Sequence, residues 1–146
     1  MSSDFVIVGA GILGLSIAKS LHKKNPQSKI TIFEKEKTIA THASGRNSGV
    51  LHAGIYYSPN SLKAKFCSEG RRLLHEFCEE RQLRLAKTGK VIVATIDEEL
   101  ISLDKIYKNG TTNGAILELI HDQNVIRKTW PFLSQTTRGV IFSPHT

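Results

Sequence analysis

Phe5-Val6-Ile7-Val8-Gly9-Ala10-Gly11-Ile12-Leu13-Gly14 decides the fold, read together with Lys29-Ile30-Thr31-Ile32-Phe33-Glu34 downstream. Four consecutive apolar residues, Phe5 to Val8, suit a parallel strand buried on both faces. Gly9-Ala10-Gly11 reads as a turn, and Ile12 to Lys24 as a helix with Leu13, Ile17, Ala18 and Leu21 along one side. Pro26 cannot extend the hydrogen-bond ladder, so the helix stops at Asn25-Pro26-Gln27. Lys29 to Glu34 alternates and is β-branched, as a second strand should be.

Gly-x-Gly-x-x-Gly is a weak signal by itself. Here it follows a strand, opens a helix, and has Glu34 ending the next strand 20 residues after Gly14. That combination is the fingerprint of a dinucleotide-binding fold. Gly9 permits the tight turn, Gly11 leaves room for a pyrophosphate against the backbone, and Gly14 lets helix and strand pack closely. The helix N-terminus, at Ile12, offers N–H groups and partial positive charge to phosphates. Glu34 is positioned to accept from the adenosine ribose, and its charge argues against a 2′-phosphate and hence against NADP. The fingerprint does not separate NAD from FAD.

Outward from this unit, residues 35–59 are rich in Gly, Ser, Thr, Ala, His and Asn. Irregular segments this long in compact domains are usually functional or disordered, and the apolar inserts Val50-Leu51 and Ile55-Tyr56-Tyr57 speak against disorder. Ser58-Pro59-Asn60-Ser61 is a turn and helix start. The helix then runs to about Gln82, with Phe66, Leu73, Leu74, Phe77 and Cys78 at helical spacing. Lys90 to Thr95 reads as a strand, and Asp97 as the cap of a helix through Leu100, Leu103, Ile106 and Tyr107, ending near Asn113-Gly114. Leu117 to Ile120 is a short strand, Asp122 starts a short helix closed by Pro131, and Arg138 to Phe142 is a last strand.

The chain has 146 residues, 40% hydrophobic and 23% charged, ordinary for one globular domain. Its formal charge is +7, from 20 Lys+Arg against 13 Asp+Glu. The basic residues are scattered and not interleaved with aromatics, so no nucleic-acid face is expected. No apolar run approaches the roughly 20 residues that span a bilayer. The stretch Phe5 to Leu21 is broken by glycines and lacks a basic leader, so it is not a signal peptide, and a cytoplasmic location is expected. Cys67 and Cys78 fall on one face of one helix, roughly 16 Å apart, too far for a disulfide. Two buried, reduced thiols in a reducing compartment are expected. His22, His42, His75 and His121 show no ligand spacing, and no metal site is expected.

The segment after Glu34 separates the cofactors. It reads Ala43-Ser44-Gly45-Arg46-Asn47-Ser48-Gly49-Val50-Leu51-His52-Ala53-Gly54-Ile55-Tyr56-Tyr57, then Ser58-Pro59-Asn60-Ser61-Leu62-Lys63-Ala64. Small hydroxyl and amide residues allow close approach to a flat polar cofactor. This run closely resembles the L-2-hydroxyglutarate oxidase/dehydrogenase family, within the D-amino-acid-oxidase-like superfamily of FAD enzymes. The resemblance extends over the whole chain, including Gly89-Lys90-Val91-Ile92-Val93-Ala94 and Ser143-Pro144-His145-Thr146.

The resemblance implies an FAD-dependent enzyme that oxidises the 2-hydroxyl of L-2-hydroxyglutarate to give 2-oxoglutarate, with hydride passing to flavin N5. Electrons would leave to a quinone or another acceptor, which makes peripheral membrane contact part of the expectation. It implies an α/β fold: a Rossmann-like parallel sheet binding FAD over residues 1–88, and the start of an α+β substrate domain over residues 89–146. Cofactor contacts are expected from Gly9, Gly11, Ile12, Gly14, Glu34, Lys35, Ser44, Arg46, Asn47, Ser48 and Gly49.

His52 is expected near the reacting face of the flavin, as the base for the hydroxyl proton or as a residue that merely hydrogen-bonds flavin or backbone. Arg46 is a candidate for a substrate carboxylate or the pyrophosphate, or else a surface residue. Tyr56 and Tyr57 read as core or strand residues before chemistry, and Lys63 and Lys65 as solvated helix residues. Members of the family are several hundred residues long, so these residues alone are expected to be inactive and marginally stable. The competing readings are an FAD enzyme acting on glycerol 3-phosphate or an amino acid, a non-catalytic nucleotide-binding remnant, and an NAD-binding module.

Overall fold

The computed structural model describes residues 2–146, which form two compact units, one ending at Val50 and one running from Leu51 to Thr146. In the first unit, β1 (Phe5–Val8) leads through α1 (Ile12–Lys24) to β2 (Ile30–Phe33). The strands pair in parallel, with Phe5 opposite Ile30 and Val8 opposite Phe33. Before the ladder begins, the Lys29 amide donates to Asp4 Oδ2 (2.8 Å), and the hydroxyls of Ser3 and Thr31 meet at 2.6 Å. These bonds fix the register, and a slip of one residue would turn every side chain to the other face. α1 ends where expected: the Asn25 amide donates to Leu21 O at 2.8 Å, and His22, Lys23 and Lys24 face the negative end of the helix dipole.

The expected apolar side of α1 is not fully covered. Leu13 is 77% and Ile17 51% exposed, and Gly14 is the buried residue of the helix. Likewise β1 buries Ile7 but leaves Val8 86% exposed. Sequence periodicity marks which face is apolar, not what covers it.

The second unit contains α2 (Leu62–Glu80), β3 (Lys90–Ala94), α3 (Asp97–Thr112), β4 (Glu118–Ile120), α4 (Gln123–Thr129) and β5 (Gly139–Ser143). Its sheet is antiparallel in the order β3-β5-β4, with Lys90 opposite Ser143 and Ile120 opposite Val140. The central strand β5 is the most deeply buried: Val140 and Ile141 are inaccessible, and Leu103 of α3 packs at 1% exposure. Ala53 and Ile55, from the irregular segment before α2, join this core with Ala94, Ala115 and Leu117. A Cβ on Gly110 of α3 would lie 2.5 Å from Leu117 Cδ1 and 3.1 Å from Ile55 Cγ2, so a larger residue there would make these side chains shift.

Three local expectations are corrected. Of the residues expected on its apolar side, Phe66, Leu73 and Leu74 of α2 are exposed and Phe77 and Cys78 half-buried, with Ala64, Cys67, Ser68, Arg71 and His75 also sheltered. The two thiols are accordingly half-buried rather than buried, and both are free. At α3 the N-cap is Ile96, not Asp97. The Asp97 carboxylate is drawn to Arg138, while Glu99 Oε2 reaches back to the amide (2.7 Å) and hydroxyl (3.0 Å) of Thr95. Those bonds hold the Glu99 carboxyl below its usual pKa.

Candidate functional site

The first unit gathers the fingerprint. Gly9 has φ +98°, a conformation that L side chains rarely adopt, and its amide donates to Phe33 O at 2.7 Å, tying the turn to the end of β2. A Cβ on Gly14 would lie 1.9 Å from Gly9 O, so α1 packs against its own entry turn only with glycine there. A Cβ on Gly11 would meet Ser44 Oγ at 3.1 Å. Backbone is thus laid bare along one path from the end of β1 to the start of α1, as close approach of a pyrophosphate requires. The residues present therefore fit a dinucleotide.

Two side chains are more engaged than the sequence suggested. Glu34, expected as a ribose acceptor, receives the Ala10 amide on Oε2 at 2.7 Å and the Glu36 amide on Oε1 at 3.1 Å. Those backbone donors, Ala10 first, hold its carboxyl below the ordinary Glu value. The carboxylate still has free lone pairs, so bracing the turn and accepting from a ribose are compatible. Ser44 Oγ receives the Ile12 amide at 2.9 Å, capping α1 from 32 residues away. The first amide of the helix is therefore already taken, and Leu13 and Gly14 supply the remaining unpaired donors of that turn.

Residues 43–50 fold into a small self-bonded loop. Asn47 Nδ2 donates to Ser44 O (2.8 Å) and Ala43 O (3.3 Å), and its Oδ1 accepts the Gly49 amide (2.7 Å). Ser48 Oγ accepts the Val50 amide at 3.4 Å, and Gly49 has φ +66°. Asn47 and Ser48 shape the loop, while the Arg46 side chain is exposed. Lys35, also exposed, lies 3.9 Å from Glu36.

His52 belongs to the second unit. Its ring is exposed, and its carbonyl accepts from the Cys67 thiol at 3.3 Å. Ala53 and Ile55 anchor this segment at 4% and 2% exposure, which leaves Tyr56 and Tyr57 outside the core and outside any strand, contrary to expectation. His52, both tyrosines, Lys90 and Thr146 line a cavity of about 110 Å³. Asn113, the C-cap of α3, closes the turn beneath them: its Nδ2 donates to Gly54 O (3.1 Å) and Tyr57 O (2.8 Å).

Sequence reading singled out neither Lys90 nor Asn113 for the site. Asn113-Gly114 signals a helix end and Lys90 a strand start, and their links to residues 52–57 are non-local. Among the described residues, no cluster of three or more metal-ligating side chains occurs, and no helix is long and apolar enough to cross a membrane.

Comparison with known proteins agrees with this geometry. A family profile described as FAD dependent oxidoreductase matches residues 4–146. The chain is 44% identical over 147 residues to the mitochondrial L-2-hydroxyglutarate dehydrogenase of Homo sapiens, covering 99% of this chain and 31% of that protein. It is 45% identical over 146 residues to the enzyme of the same name from Caenorhabditis elegans, covering 98% and 33%. The chain thus spans about a third of the length of these curated relatives.

Among solved structures, the dithionite-reduced L-alpha-glycerophosphate oxidase of Mycoplasma pneumoniae, with FAD bound, superimposes with a TM-score of 0.85 at 26% identity. That match covers 99% of this chain and 38% of the oxidase. The glycine oxidase of Geobacillus kaustophilus gives a TM-score of 0.81 at 26% identity, covering 98% and 39%. With the fingerprint formed, Gly14 packed against the backbone of its entry turn, and the family profile matched from residue 4 to residue 146, the chain belongs to the FAD dependent oxidoreductase family.

Proposed function

We propose that this chain carries the nucleotide cradle and the first substrate-side residues of an FAD-dependent oxidoreductase that converts L-2-hydroxyglutarate to 2-oxoglutarate. The observation that carries the substrate is the identity of 44–45% with L-2-hydroxyglutarate dehydrogenases over nearly the whole chain. The glycerophosphate and glycine oxidases share the fold at 26%.

In this reading the glycines Gly9, Gly11 and Gly14 leave room for the pyrophosphate at the start of α1, beside Ile12, with the amides of Leu13 and Gly14 as free donors; Glu34 and Lys35 lie at the adenosine ribose, and Ser44, Arg46, Asn47, Ser48 and Gly49 run along the flavin. FAD, when bound, supplies the acceptor for the hydride that leaves C2. The chain's own contribution is to remove the hydroxyl proton, so that the C–O bond becomes a carbonyl as the C2 hydrogen departs with its electron pair. His52 takes that proton. Its imidazole is exposed beside the cavity, and a neutral imidazole nitrogen can accept a hydroxyl proton. The Cys67 thiol on its carbonyl and the buried Ala53 hold the backbone from which it projects.

Residues 1–88 form the first segment of the FAD-binding domain, and residues 89–146 open the substrate domain, whose antiparallel sheet begins at Lys90. The electrons pass on to a quinone or another acceptor, with peripheral membrane contact in the quinone case. Free Cys67 and Cys78 suit a reducing compartment. The curated relatives are named mitochondrial, and cell fractionation decides between that location and the cytoplasm.

Protein expressed from its complete gene and loaded with FAD is incubated with L-2-hydroxyglutarate and an artificial electron acceptor. The expected product is 2-oxoglutarate, lost on His52→Ala with FAD retained. Turnover of glycerol 3-phosphate or an amino acid instead would move the chain elsewhere in the family.

A further inference from the structure

The cavity beside His52 contains a cation that the reaction as proposed leaves unused. Lys90 opens β3, and its Nζ stands 4.7 Å above the centroid of the Tyr56 ring. None of the ion pairs among the described residues engages it. No Asp or Glu lines the cavity either: its polar side chains are the Lys90 ammonium, the His52 imidazole, two phenols and the Thr146 hydroxyl. One ammonium and several neutral hydrogen-bonding side chains, with no acidic side chain among them, suit a small anion with oxygen acceptors.

The cation is also held in place. Lys90 is paired with Ser143 across β3 and β5, and Gly89 before it has φ +73° with the Phe142 ring only 2.7 Å from where a Cβ would stand. The facing segment is fastened by the Asn113 amide on Gly54 O and Tyr57 O and by the Cys67 thiol on His52 O. The Tyr56 face holds the ammonium more weakly than a charge-assisted hydrogen bond would, so an entering carboxylate can take it over.

We propose that Lys90, poised over Tyr56 beside His52, is a substrate-binding residue that pairs with a carboxylate of the dicarboxylate substrate. The inference rests on the 2-hydroxyglutarate reading, and its test is arranged so that the two can fail separately. Glutarate, which has both carboxylates and no hydroxyl to oxidise, is titrated calorimetrically into FAD-loaded protein expressed from its complete gene. The wild type, Lys90→Gln and Lys90→Arg are compared, and steady-state oxidation of L-2-hydroxyglutarate is measured on the same preparations.

Lys90→Gln is expected to weaken glutarate binding roughly tenfold to hundredfold. It should raise KM for L-2-hydroxyglutarate by a similar factor, more than it lowers kcat, while Lys90→Arg recovers most of both. Bound FAD should be the same in all three proteins, which separates a lost contact from a misfolded site. Unchanged glutarate affinity in Lys90→Gln, no glutarate binding by the wild type, or a fall confined to kcat overturns the role of Lys90. A wild type that binds glutarate through Lys90 yet leaves L-2-hydroxyglutarate unoxidised keeps the carboxylate site and overturns the reaction.

Discussion

The two units reach order by different routes. Up to Val50, the structure is held by bonds to the backbone: a four-residue parallel ladder, a turn that only glycine can make, and side chains such as Glu34 and Ser44 that bond backbone amides. Few residues there are buried, and large apolar side chains on β1, β2 and α1 stay open, among them Val8 at 86% and Phe33 at 58%. From Leu51 on, an antiparallel sheet and its helices bury Ala94, Leu103, Ile126, Val140 and Ile141, each at 2% exposure or less. The proposed nucleotide cradle is thus a matter of backbone geometry, and the proposed substrate-side cavity a matter of packing. Substitutions in the two units should therefore do damage of different kinds.

The sharpest break is Gly14→Val. The added side chain meets backbone at 1.9 Å, which cannot move aside as a flexible side chain could, so the purified protein should lack FAD altogether. Flavin absorbance checks this, and a yellow variant would remove the cradle from the account. Next comes the core of the second unit, where Leu103→Ala should cost about 2–5 kcal/mol, seen as faster amide exchange in β3 and β5. The matched change Leu13→Ala, at a site 77% exposed in this chain, should cost within about 0.5 kcal/mol in the 146-residue chain. Equal losses at the two sites would erase the contrast.

Ser44→Ala frees the Ile12 amide and should cost about 1 kcal/mol, read as loss of exchange protection in the first turn of α1. The smallest effect is the acid response of Glu34. Its folded pKa is depressed by the Ala10 and Glu36 amides, so its stabilisation is fully present above the ordinary Glu pKa of about 4.3. That stabilisation is lost as pH falls below 4.3 toward the folded value. Glu34→Gln should remove this part of the acid profile, and an unchanged profile would show that Glu34 does not brace the turn.

What was legible in the sequence follows the same division. β1 and α1 form as read, Phe5–Val8 and Ile12–Lys24, because strand length, glycine turn and helix stop are local signals. Glu34 was legible as a carboxylate at the end of β2 but not as a ligand of the Ala10 amide, a contact 24 residues distant. The sheltered face of α2 was misread because periodicity locates Phe66 and Leu73 on an apolar side without saying what covers it. Asp97 looked like a cap until its carboxylate found Arg138, 41 residues away. Lys90 meets Tyr56 across 34 residues of sequence, and only the folded second unit brings that ammonium to the cavity beside His52.

The most direct test of the central claim is the flavin spectrum of FAD-loaded protein, expressed from its complete gene and mixed anaerobically with each enantiomer of 2-hydroxyglutarate. Bleaching by the L-isomer and not the D-isomer is the predicted result. Flavin that stays oxidised with both, and bleaches with glycerol 3-phosphate or an amino acid, would contradict it.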